Sequence, residues 1–151
     1  MLQDMLDEKL IQLSVHAENW EDAVRKAAAP LVSEGKCKES YVDDIIKGVH
    51  EYGPYIVITK NVALPHARPE SGALDTAIGI TTLDTPVEFG NKDNDPVKYL
   101  FPLSASDDNK HLAALADLAE LLEDQKFFEV LDHAKSPREV IDYLNNRKEE
   151  N

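Results

Sequence analysis

Five histidines occur in the chain, and one of them is set apart by its neighbours. His66 lies in Asn61-Val62-Ala63-Leu64-Pro65-His66-Ala67-Arg68-Pro69, between two prolines. Prolines fix the backbone on either side, and the small residues leave room around the ring. A histidine titrates near neutrality, so a neutral ring nitrogen is available to attack an electrophile such as phosphorus. A transferred phosphoryl group is anionic and must be met by hydrogen-bond donors and a guanidinium. Arg68, two residues on, reaches an anion held by the imidazole if the backbone there is extended. His111 is a second donor, because Ser104-Ala105-Ser106-Asp107-Asp108-Asn109 reads as the lead-in to a helix whose first turn contains it. Such a helix start offers free N–H groups to an anion. Taken alone, Pro-His-Ala-Arg-Pro is a weak signal that fits a satisfied structural histidine better than a functional one. His16, His50 and His133 stand before a helix or near helix ends, where histidine commonly serves the helix dipole.

Other chemistry finds little support. The sequence has no phosphate-cradling P-loop, no Gly-x-Gly-x-x-Gly, no Gly-x-Ser-x-Gly elbow and no His-Glu-x-x-His. A metal site would need His66, His111 and carboxylates gathered by the fold, and their spacing does not suggest it. Cys37, in Gly35-Lys36-Cys37-Lys38, has basic neighbours that lower a thiol pKa, but it reads as a surface-loop thiol without a role. One cysteine also excludes an intrachain disulfide.

The elements that must position the histidines are legible from periodicity. A helix begins near Asn19 with an apolar stripe of Trp20, Ala23, Val24, Ala27, Ala28, Leu31 and Val32, and Pro30 predicts a kink or early stop. A second helix, capped by Ser40, runs through Ile45, Ile46 and Val49 to Gly53-Pro54. The period then changes. Residues 55–59, 75–83 and 97–103 read as strands, with 9–15 as a further candidate and 89–96 as a turn-rich loop. Helices return with Leu112, Leu115, Leu118 and Leu122 on one face and alanines 113, 114, 116 and 119 allowing close packing. A short helix holds Phe127, Phe128, Val130 and Leu131, and Ser136-Pro137-Arg138-Glu139 opens the last one. This order predicts an α/β fold, an α/β/α sandwich on a mixed sheet, as one domain over 1–151. A charged tail from about residue 145, ending Arg147-Lys148-Glu149-Glu150-Asn151, is expected to fray.

The net charge is −13, from 29 acidic and 16 basic residues. A field of that sign repels nucleic acid and anionic lipid and favours a basic partner. No apolar run is long enough to span a bilayer, and the acidic start lacks the features of a secretory signal, so a cytoplasmic location is expected.

Residues 53–58, Gly-Pro-Tyr-Ile-Val-Ile, followed by Asn61 to Gly72 with its Leu-Pro-His core, resemble the mannitol/fructose-type enzyme IIA family of the sugar phosphotransferase system. The resemblance extends to Ala17–Val24, Ser40-Tyr41 and Asp93–Val97, nearly the whole chain, and is strongest to the ascorbate-type branch. It implies the enzyme IIA type-2 fold and no cofactor or metal. His66 would accept a phosphoryl group from the carrier HPr and pass it to a cysteine of an enzyme IIB beside a membrane enzyme IIC, for L-ascorbate or a related sugar. His111 corresponds to the family's second active-site histidine. Many relatives carry an arginine upstream of the histidine motif; here no arginine lies between Arg25 and Arg68, so Arg68 is expected to substitute. Cys37 falls inside the enzyme IIA match and is not the enzyme IIB cysteine, which is expected on another polypeptide. A regulatory phosphohistidine module would share His66 and the fold, and a metal-dependent hydrolase is a third reading.

Overall fold

The computed structural model describes residues 5–149. A mixed sheet is built from β1 (Ile11–Val15), β2 (Val57–Thr59), β3 (Val62–Ala63), β5 (Ile80–Val87) and β6 (Val97–Leu100), in the order β1-β5-β6-β3-β2. β1 runs parallel to β5 and β3 parallel to β6, while the β5–β6 and β2–β3 pairs are antiparallel. A two-stranded antiparallel pair, β4 (Ala77–Ile78) with β7 (Leu103–Ser104), lies outside that sheet.

Helices cover both faces. Alternating side chains of a strand point to opposite sides, so each strand feeds two cores. Ala63 and Leu100 face α1 (Trp20–Ser33) and α2 (Glu39–Tyr52), which bury Ala27, Leu31, Ile45 and Val49. Val62 and Phe101 face the other way, where α3 (Asp108–Leu121), α4 (Gln125–His133) and α5 (Pro137–Glu149) bury Leu118, Phe127 and Val140. This is the expected α/β/α sandwich.

Several local expectations need correction. α1 does not stop at Pro30 but continues to Ser33. Proline removes the N–H that would bond the carbonyl four residues back, and the freed Lys26 carbonyl is instead met by Gln12 Nε2 at 2.8 Å. α2 is not capped by Ser40: it starts at Glu39, and Ser40 Oγ donates to the Ser71 carbonyl. The expected strand over 75–83 is two strands, broken at Gly79. A Cβ there would stand 2.9 Å from Pro102 Cγ, so only glycine lets these chains approach. The expected strand over 97–103 divides likewise at Phe101-Pro102. In α3, Leu112 is 66% exposed and alanines 113, 116 and 119 face solvent, while Ala114, Leu118 and Leu121 are buried and Leu115 packs beside them, as does Leu122 just past the helix end. α5 runs through Arg147, whose Nε donates to Asp124 at 2.9 Å; residues 150–151 of the charged tail lie outside the described residues.

Candidate active site

The His66 segment leaves β3 in extended form and is fastened on both sides. Leu64 N–H donates to the Ile56 carbonyl at 2.7 Å, and Leu103 N–H donates to the Pro65 carbonyl at 2.9 Å. Buried Tyr41, from α2, ties the next residue: its hydroxyl accepts from Ala67 N–H at 3.1 Å and donates to the Leu103 carbonyl at 2.7 Å. Its phenol is pushed up to about 12 by burial, so it stays a neutral donor.

His66 Nδ1 lies 2.6 Å from the Leu64 carbonyl oxygen. A carbonyl only accepts, so Nδ1 carries the proton and Nε2 keeps the lone pair. Burial is the larger cause that holds the His66 pKa below its ordinary value; the Leu64 hydrogen bond opposes it and nearby His111 adds to it. The ring is therefore neutral at physiological pH.

His111 stands in the first turn of α3, whose N-cap Asp107 accepts from Lys110 N–H at 2.8 Å. The two imidazoles meet with centroids 5.4 Å apart at 65°. Together with Arg68 they line a cavity of about 490 Å³, closed further by Tyr55, Ala67 and Pro69 on one side and Asp108 and Leu112 on the other. Arg68 is exposed, and among the described residues no carboxylate pairs with it. The first N–H groups of α3 have no intrahelical acceptor. The three residues singled out in the sequence thus converge on one pocket, with a neutral imidazole, a second imidazole and a guanidinium that pairs with no carboxylate among the described residues.

Sequence reasoning missed Tyr41, Tyr55, Asp108 and Leu112. The sequence pattern puts Tyr55 in a strand, but β2 begins only at Val57. Its signal was its place in the motif that carries the family resemblance. Cys37 requires a correction: it is not a surface thiol but 2% exposed, and burial pushes its pKa up to about 11 despite its lysine neighbours. The other histidines lie elsewhere. His16 contacts Asp84 and Glu18, His50 Nε2 contacts Glu21 at 2.7 Å, and His133 Nδ1 donates to the Glu129 carbonyl. Among the described residues no group of three or more histidine, cysteine or carboxylate side chains converges as metal ligands. None of the described helices is long and apolar enough to cross a membrane.

Comparison with known proteins agrees with the geometry. The sequence is 37% identical, over 95% of both chains, to the ascorbate-specific PTS system EIIA component of Escherichia coli K12. Its fold superposes on the solution structure of the mannitol-specific cryptic phosphotransferase enzyme IIA CmtB of Escherichia coli, with TM-score 0.83, 35% identity, and 94% and 97% of the two chains covered. It also superposes on enzyme IIA of mannitol from Escherichia coli, solved in complex with phosphorylated enzyme IIB, with TM-score 0.80, 25% identity and 93% and 97% coverage. Residues 4–147 match the family model described as phosphoenolpyruvate-dependent sugar phosphotransferase system, EIIA 2. The chain belongs to that family and is a phosphotransferase component, an enzyme IIA of type 2.

Proposed function

We propose that the chain, as one domain over 1–151, is a cytoplasmic phosphocarrier that takes a phosphoryl group from phospho-HPr on His66 Nε2. It then delivers that group to a cysteine of an enzyme IIB that works beside a membrane enzyme IIC in L-ascorbate uptake. One observation carries the chemistry: Nδ1 is committed to the Leu64 carbonyl, which leaves a neutral Nε2 beside His111 and Arg68. The Nε2 lone pair attacks phosphorus as the N–P bond of the donor histidine breaks, and the bonding electrons return to that imidazole. Positive charge that develops on the His66 ring is stabilised at Nδ1–H by the Leu64 carbonyl. Arg68, His111 and the α3 N-terminus meet the equatorial oxygens in flight. In the second step a thiolate attacks the same phosphorus, the Nε2–P bond breaks, and His66 returns to its neutral form.

The ascorbate assignment is supported by the relative at 37% identity and by the motif residues 53–58 and 94–97. Sugar specificity does not reside in this component, which meets only protein partners. The test is incubation with phosphoenolpyruvate, enzyme I and HPr, followed by mass spectrometry and by transfer to enzyme IIB proteins of ascorbate, mannitol and fructose type. One acid-labile phosphoryl group, absent in His66→Ala, is expected, with the ascorbate-type acceptor labelled fastest. Preference for another enzyme IIB would overturn the pathway; failure with all of them would favour a regulatory phosphohistidine.

A further inference from the structure

Gly48 sits inside α2, where glycine weakens a helix relative to alanine. Its backbone is not in the left-handed region, so helix geometry does not ask for it. The reason lies across the surface. A Cβ on Gly48 would stand 3.1 Å from the Tyr55 hydroxyl oxygen and 3.3 Å from its Cε1. The absent side chain is a notch in which the Tyr55 ring lies. From the notch the Tyr55 hydroxyl donates to the His66 carbonyl at 2.9 Å. The same ring meets the His66 imidazole edge-on, with centroids 5.6 Å apart at 81°.

We propose that Tyr55 is a positioning residue for the phosphoryl-accepting His66, and that Gly48 is glycine because Tyr55 must lie against it. This rests on His66 being the acceptor. The Leu64 carbonyl fixes the rotation of the imidazole, while Tyr55 fixes the peptide that carries it and covers one flank of the ring. Displacement at phosphorus is sensitive to such placement, since an error of about 1 Å costs on the order of 10²-fold in rate. Tyr55 touches no reacting atom; it acts through His66.

The experiment combines rapid-mixing transfer from phospho-HPr with an NMR titration of the His66 ring. Tyr55→Phe keeps the ring but loses the hydrogen bond, and should slow transfer roughly 3- to 10-fold, the scale of one net hydrogen bond. Its His66 midpoint should stay near that of the parent. Tyr55→Ala uncovers the imidazole, and the midpoint should rise toward the ordinary value of 6.5. Gly48→Ala should leave Tm equal or higher, because alanine favours the helix and the clash meets a movable side chain, yet transfer should slow. That slowing should vanish in a Tyr55→Ala background, where no ring remains to be displaced. Parental rates in Tyr55→Phe and Gly48→Ala, or equal slowing by Gly48→Ala with and without Tyr55, would overturn the role of Tyr55 while His66→Ala still abolished labelling. Labelling that survives His66→Ala would instead remove the acceptor assignment, and the positioning role with it.

Discussion

At His66 a single hydrogen bond decides which ring nitrogen is open. Because Nδ1 donates to Leu64, the nitrogen that would attack phosphorus in the proposed transfer is Nε2, and burial favours its unprotonated form. Phosphoryl acceptance should therefore hold steady as pH falls through the ordinary histidine range and decline only below it, measured as labelling rate against pH. The same shift has a consequence for stability. The folded pKa lies below the unfolded one, so between them the unfolded chain binds more protons. The contribution of His66 is fully present above the ordinary 6.5 and is lost as pH falls through the folded value. Urea unfolding of His66→Gln beside the parent should show the parent losing stability relative to the variant as pH falls through that window, with the difference between them constant above and below it. In the proposed transfer Arg68 and His111 stabilise charge in flight. Replacing either with alanine should slow transfer by on the order of 10²–10³, yet leave labelling at His66 detectable. Parental rates in both variants would mean that the phosphoryl group is held by something else.

At the scale of elements, the site is where three pieces of chain are fastened together: the segment after β3, the strand β7 that leads to α3, and the first turn of α2. Tyr41 is the fastening from α2, and it has no exposed function. Tyr41→Phe would leave the Leu103 carbonyl and Ala67 N–H without that hydroxyl, at a cost of about 1–3 kcal/mol in urea unfolding. A value near zero would mean that water or a shift of the backbone replaces it. This layer of the site was the least legible in the sequence. His66 could be found because Pro65 and Pro69 bracket it and its Leu-Pro-His core carries the family resemblance, and His111 because Ser104 to Asn109 read as the lead-in to the helix that carries it. Tyr41 and Tyr55 act on backbone groups 26 and 11 residues away, which no local pattern encodes. β3 is two residues long, too short to display a period. Cys37 was misread for a related reason. Its flanking lysines suggest exposure, but the bridge from Cys37 to Ala73 turns the thiol inward and leaves Lys36 partly exposed and Lys38 exposed. The layered fold was readable because long stripes such as Ala23–Leu31 and Tyr41–Val49 carry their period over several turns.

The molecule as a whole carries charge that the pocket alone does not explain. Net −13 over 151 residues produces a field felt beyond contact, and an acidic protein meets a basic partner faster than diffusion of neutral bodies allows. The charge lining the pocket is itself mixed, with Arg68 facing Asp108, so the attraction must be gathered from the wider surface. Exposed charges are screened beyond about 10 Å at 0.1 M salt. The second-order rate of phosphoryl transfer from HPr should therefore fall steadily as salt rises. Asp44 and Glu51 are exposed on α2 and pair with no base among the described residues, so they probe the field without holding structure. Neutralising both, as Asp44→Asn with Glu51→Gln, should slow transfer at low salt and leave the rate at high salt unchanged, since screening has already removed their effect there. The first-order step within the complex should be unaffected at either salt, because neither residue reaches the pocket. A second-order rate that is flat from low to high salt would show that docking is guided by the apolar rim of Leu112, Pro69 and Tyr55 instead. In that case Leu112→Ala, not the loss of charge, would be the substitution that slows the encounter.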